Sequence, residues 1–157
     1  MAILFDSDFG RVWSDGTTPY VFTSVTRAPQ KKELDELAER QIEMIGELKL
    51  TFNDVYSILD LRLCSPITAS LIRHYITRMV PRQFKEGLRH KAFVVPREKK
   101  AKEILVHALI SIDHLSISLH SSFENALSEV NQEWSRAKPA DRKSRLSIFL
   151  ETLGIEF

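Results

Sequence analysis

The chain has 157 residues, 43% of them apolar and 27% charged, with a net charge of +1. A single domain of this length buries roughly 70% of its unfolded surface, so it needs no metal or disulfide staple, and the lone Cys64 cannot form an internal disulfide. No apolar run is long enough to cross a bilayer, and the first residues lack the charged start and apolar core of a secretion signal, so a cytoplasmic location is expected.

In chain order, Ala2 to Phe5, Arg11 to Trp13 and Tyr20 to Thr26 read as short strands, with a hairpin signal at Ser14-Asp15-Gly16. A helix follows Pro29, with Leu34, Leu37, Ala38, Ile42, Ile45 and Leu48 as its buried stripe and Gly46 near its end. Val55 to Cys64 forms a nearly continuous apolar strand, the pattern of a strand covered by helices on both faces. Ser65-Pro66 then opens a helix carrying Ile67, Leu71, Ile72, Tyr75, Ile76 and Met79 on one side. Pro81 should kink or end that helix.

His90 to Pro96 is the next strand, with Tyr75 and Phe93 assigned to the core, and Arg97 to Ser111 a helix. Leu115 to Leu119 alternates cleanly, as an edge strand does. A capping box of Ser121 and Glu124 starts a helix over Phe123 to Arg136. The implied fold is α/β: a single mixed sheet, with an N-terminal antiparallel hairpin plus parallel strands, and helices packed on its faces. Residues 1–136 form this domain. Residues 137–157 are a linker and a C-terminal amphipathic helix with Leu146, Phe149, Leu150 and Leu153 on one face. That stripe can dock on its own domain, on a partner, or on a second subunit as the interface of a homodimer, which would make the chain a self-associating structural module.

Strand, short turn and helix bring the carboxyl end of the central strand to a helix N-terminus, where open α/β sheets bind ligands. This selects Asp60, Arg62, Cys64 and Ser65, with Arg97 and Lys99 from the next strand-end loop. A capping role for Ser65 and a turn or ion pair for Asp60 are the structural alternatives. The basic stretch Arg73 to Lys102 follows an acidic one, Lys31 to Asp60; such asymmetry can mark an anionic partner or a face-to-face dimer, and more often it is two solvated helix faces. Sparse aromatics and the lack of a reading motif argue against nucleic acid, and the apolar faces are needed by the sheet rather than by a membrane surface.

No Gly-rich phosphate loop, HExxH pattern or G-x-S-x-G elbow is present, so no cofactor or metal is implied. A helix N-terminus lowers a thiol pKa, which leaves Cys64 as the one route to an enzyme. The main expectation is a non-catalytic domain that binds a protein partner or a small or apolar ligand at the strand-end loops.

Ile58-Leu59-Asp60-Leu61-Arg62 resembles the central "LDL" strand of the STAS-like superfamily. Ala92-Phe93-Val94-Val95 is similar to its next strand, and Phe123-Glu124-Asn125-Ala126-Leu127 to its closing "feeAl" helix. The likeness is greatest to the uncharacterised branch with STAS-like and CRAL-TRIO-like folds. The superfamily's best-known members are bacterial anti-sigma-factor antagonists, so the resemblance implies a regulatory domain. Phosphoswitching antagonists carry an Asp-Ser-Ser-Gly-like turn after the central strand. Here the turn reads Leu63-Cys64-Ser65-Pro66, which leaves Ser65 as the sole counterpart of the phosphorylated serine.

Overall fold

A computed structural model describes residues 4–137. Six strands form one mixed sheet in sequential order: β1 (Leu4–Asp6), β2 (Gly10–Trp13), β3 (Tyr20–Val25), β4 (Val55–Asp60), β5 (Leu88–Val94) and β6 (Ile117–His120). β1, β2 and β3 pair antiparallel, and β3 to β6 pair parallel. Each parallel step needs a crossover, supplied by helices. These are α1 (Lys31–Lys49) before β4, α2 (Ala69–His74) and α3 (Val80–Glu86) before β5, and α4 (Lys99–Leu109) before β6. The last helix, α5 (Phe123–Arg136), follows β6. This is the α/β sheet that the sequence implies; the C-terminal helix of that expectation lies outside the described residues.

The strand alternation divides the core in two. Val21, Val25, Val55, Leu59 and Phe93 pack with Leu37 and Ile45 of α1, Ile72 of α2 and Leu105 of α4. Tyr20, Phe22, Tyr56, Ile58, Ala92 and Val94 pack with Ala126 and Val130 of α5 on the opposite face. The central strands are therefore covered on both sides, as their apolar runs require. β6 lies at the sheet edge and has no fully buried residue, Leu119 being exposed, as its clean alternation indicates.

Several boundaries differ from the sequence reading. β4 ends at Asp60, because Leu61 N–H donates to Val94 O at 2.9 Å and the chain then turns, Cys64 N–H donating to Leu61 O. α2 starts at Ala69, capped by the Thr68 hydroxyl, which accepts from Leu71 N–H at 3.3 Å; Ser65 is not the cap. At α5 the cap is Ser122, accepting from Asn125 N–H, one residue beyond the expected Ser121. Within α1, Gln41 and Met44 are buried in place of the half-exposed Ile42, and the helix runs past Gly46.

Pro81 does not end its helix. Between α2 and α3 the chain takes one wide π-helical turn, Tyr75–Met79, with Val80 N–H donating to Tyr75 O. That wider turn makes room for the proline ring and needs no hydrogen from it, so the helical path continues to Glu86. It ends at Gly87, whose φ of 126° and close approach to the Lys49 side chain leave no place for a Cβ.

Candidate functional site

At the carboxyl ends of β3, β4 and β5 the two layers part around an apolar recess of about 30 Å3. Val25, Leu59, Leu61, Cys64, Pro96 and Leu105 contribute to its walls, with Ile67, Ile72 and Tyr75 from the helical side. A cavity of this size holds two or three water-sized groups, and apolar walls offer water nothing to bond to. The β4 and β5 loops thus converge through Leu61, Cys64 and Pro96 rather than through charged groups.

Each sequence-predicted residue has a definite place. Asp60 and Arg62 hold one another: Arg62 Nη2 donates to Asp60 Oδ2 at 2.7 Å, Nε donates to Oδ1 at 3.0 Å, and the Arg62 backbone N–H donates to Oδ1 at 3.1 Å. This pair braces the turn after β4, the ion-pair alternative considered from the sequence. Arg97 and Lys99 are exposed, Lys99 standing 4.0 Å from Glu103. The dimer candidates Leu146, Phe149, Leu150 and Leu153 lie outside the described residues.

Cys64 does not have the environment of an activated thiol. It is buried against the recess, five residues before α2 begins. Burial pushes its pKa up to about 12, the reverse of the lowering that a helix N-terminus would produce.

Ser65 is the unusual member. Its hydroxyl is buried and has no hydrogen-bond partner among the described residues. A buried hydroxyl without a partner is unfavourable by roughly 1–3 kcal/mol, and the neighbouring Cys64 and Ile67 both line the recess. Ser65→Ala is therefore expected to raise the unliganded protein's stability by about 1 kcal/mol, measured by urea unfolding. A loss of stability would show that the hydroxyl has a partner in solution.

Below the recess lies a buried polar chain that sequence reasoning missed. Lys91 of β5 is fully buried, and its Nζ donates to Ser57 Oγ at 3.0 Å and Gln83 Oε1 at 2.9 Å. Gln83 Nε2 donates to Gln41 Oε1 at 2.7 Å, which also accepts from Tyr75 OH at 2.7 Å. Gln41 Nε2 in turn donates to Thr23 Oγ1 at 3.0 Å. The chain links β3, α1, the π turn, α3, β5 and β4. No carboxylate belongs to it.

Desolvation accordingly lowers the Lys91 pKa to about 7. The Tyr75 and Phe93 rings, each 5.6 Å from Nζ, favour the charged form by only about 1 kcal/mol apiece. One signal was present in the sequence: Lys91 shares strand parity with Phe93 and Val95, so it must enter the same layer.

A second polar group faces α5. His90 bonds Ser116 Oγ through Nδ1 at 2.7 Å and Ser118 Oγ through Nε2 at 2.8 Å, and His120 Nε2 meets the same Ser118 at 2.7 Å. Burial lowers both histidine pKa values. The serine hydroxyls satisfy the imidazoles. Among the described residues no cluster of three or more histidine, cysteine or acidic side chains could hold a metal, and no helix is long and apolar enough to cross a membrane. Compared with known proteins, the chain matches no family model and no curated protein.

Proposed function

We propose that this chain is a non-catalytic α/β binding domain that takes an apolar group into the recess at the carboxyl ends of β3, β4 and β5. The observation that carries the reading is the recess itself, with the partnerless Ser65 hydroxyl on the loop that forms its wall. Ligands of open α/β sheets bind outside the carboxyl ends of the strands, the end on which this recess lies. Supporting it, Leu63 on the same loop is 55% exposed, an apolar side chain that a bound partner would cover. A STAS-like regulatory role is part of the proposal: the three resembling stretches fall in and just after β4, in and just after β5, and at the start of α5.

Methyl NMR with 3-methylbutan-1-ol as a small aliphatic probe tests the site. Saturable shifts are expected at Leu61, Ile67 and Leu105, and Leu61→Trp, which places an indole at the mouth, should abolish them. Shifts that are absent, or that survive Leu61→Trp unchanged, would sink the proposal.

A further inference from the structure

We propose that residues 138–157 of this same chain cover the half of the sheet that α5 leaves open, laying Leu146, Phe149, Leu150 and Leu153 against Trp13 and Phe22 on the α5 side of β2 and β3. The recess belongs to the opposite layer and plays no part in this contact.

The two faces of the sheet are covered unequally. On one face α1 packs on β2, β3 and β4, and α2, the π turn, α3 and α4 continue the layer. On the other face α5 lies over β4, β5 and β6. Strands are about 4.8 Å apart and packed helices roughly 8–10 Å apart, so one helix covers about two or three strands. A six-stranded sheet therefore calls for at least one more helix on the α5 side. Among the described residues none lies above β1, β2 and β3 there.

That open half carries large apolar side chains. The register sets Trp13 opposite Phe22, and their rings stack with centroids 5.5 Å apart. Phe123, Leu127 and Trp134 lie along one edge of α5, and like Trp13 they are only partly buried. Phe123 reaches Phe22 at 6.1 Å and Trp134 reaches Tyr20 at 5.6 Å. The edge of α5 thus stands along one side of β3, with Trp13 on the other. Arg11 and Asp6 share this face but pair with each other at 3.5 Å, and the Arg11 guanidinium lies 5.7 Å from the Trp13 ring centroid.

The path of the chain names the occupant. α5 follows β6 and ends at Arg136, just after Trp134, whose ring meets Tyr20 at the first residue of β3. The tail therefore starts beside the open half. Lys138-Pro139-Ala140-Asp141 comes next, and four extended residues span about 13 Å, more than the step to a neighbouring helix. Pro139 is a helix stop and Asp141 a helix-capping residue, which suits a sharp return. From Leu146 to Leu153 a helix rises about 10 Å, within the length of about 17 Å of β3. The short tether also favours the chain's own tail over a second copy, because it sets an effective concentration on the order of millimolar.

Paramagnetic relaxation NMR on the full chain tests the contact. A nitroxide is placed on Ser147→Cys, beside the stripe, with Cys64→Ala so that the label has one site. Strong signal loss is expected at the amides of Arg11, Trp13 and Phe22 and at the Trp13 indole. Val106 and Ile110, exposed on α4, should keep their signals. Adding Phe149→Asp should restore the β2 and β3 signals, and circular dichroism confirms that the fold is intact.

Signals over β2 and β3 that the label leaves unchanged overturn the proposal, as does a loss that Phe149→Asp does not reverse. Loss centred on Val106 and Ile110 puts the stripe on α4 and overturns it too. Mixing isotope-labelled chain that lacks the nitroxide with unlabelled chain that carries it separates the remaining occupants. Signal loss in the mixture places a second copy on the face and overturns the assignment to the chain's own tail; loss confined to the single doubly labelled chain supports it.

Discussion

Replacing Lys91 with Met is expected to remove most of the rise in stability that the protein shows between pH 7 and pH 9. In the folded chain the amine's pKa is lowered to about 7, against 10.5 for an ordinary lysine. Between those values the unfolded chain binds a proton that the folded chain does not, so stability increases with pH by about 1.4 kcal/mol per unit. Below pH 7 both states are protonated and the full penalty, on the order of 5 kcal/mol, applies. Above pH 9 the gain meets an opposing slope from Cys64, whose pKa rises from 9.0 to about 12 on folding; there the unfolded thiol loses its proton first. Burial raises the Tyr75 pKa too, adding to the same loss at high pH.

On the acid side the lowered His90 and His120 values act like Lys91. Their stabilising share is complete above their ordinary pKa of 6.5 and is lost as pH falls from there toward the folded values. Wild-type stability should therefore peak near pH 9.

Met lacks the amine, so it also loses the bonds to Ser57 and Gln83, a loss of roughly 2–4 kcal/mol. The two stability curves should cross: the Met variant at least as stable near pH 7 and clearly weaker near pH 10. Urea unfolding across pH decides it. A variant curve parallel to the wild type would show that Lys91 is not the titrating group.

Gln41→Leu is expected to destabilise the protein by roughly 3–5 kcal/mol, a large effect for a nearly volume-conserving substitution. The amide of Gln41 serves three buried partners at once: Thr23, Tyr75 and Gln83. Leucine removes the acceptor of the Tyr75 hydroxyl and the donor to Thr23, and leaves Gln83 Nε2 only its longer contact to Tyr75 OH at 3.3 Å, in a layer that water does not reach. The mechanism has a signature beyond the size of the loss. Adding Tyr75→Phe removes one orphaned hydroxyl, so the double variant should lose less than the sum of the two single losses. Additive losses would mean that the Tyr75 hydroxyl does not depend on the Gln41 carbonyl for its hydrogen bond. The Thr23 and Ser57 hydroxyls are small and isolated along their strands; only the register of β3, β4 and β5 brings them under the same helices.

The layers of this protein follow from local pattern. Apolar parity in Tyr20–Val25, Val55–Asp60 and Leu88–Val94 sets two buried faces, and helical spacing in α1, α4 and α5 provides the covers. The edge position of β6 was legible in the alternation of its sequence. Local pattern misplaced the turns. Ser65-Pro66 looks like a helix start, but the backbone hydrogen bonds of the Leu61 turn carry the chain on to Thr68 before it coils. Pro81 looks like a stop, yet packing on α1 and β5 keeps the helix going through a π turn.

The site divides along the same line. Its location at the carboxyl edge of the parallel strands is a consequence of strand–helix order, and order is written in the chain. Its chemistry is not. Asp60 and Arg62 were candidates for binding because they are charged and adjacent to a turn; in three dimensions each neutralises the other. Cys64 was a candidate because a helix was expected beside it, and burial raises its pKa instead. Lys91, Gln41 and Gln83 sit far apart in sequence and look like surface residues by composition. They become a buried network because strand parity and two separate helices carry them to one point. By itself the sequence determined which faces are apolar and the order in which strands and helices alternate, since periodicity is a property of neighbouring residues. Which polar groups meet, and what their burial does to their charge, was decided by tertiary structure, because desolvation and hydrogen bonding depend on distances between residues that the chain separates.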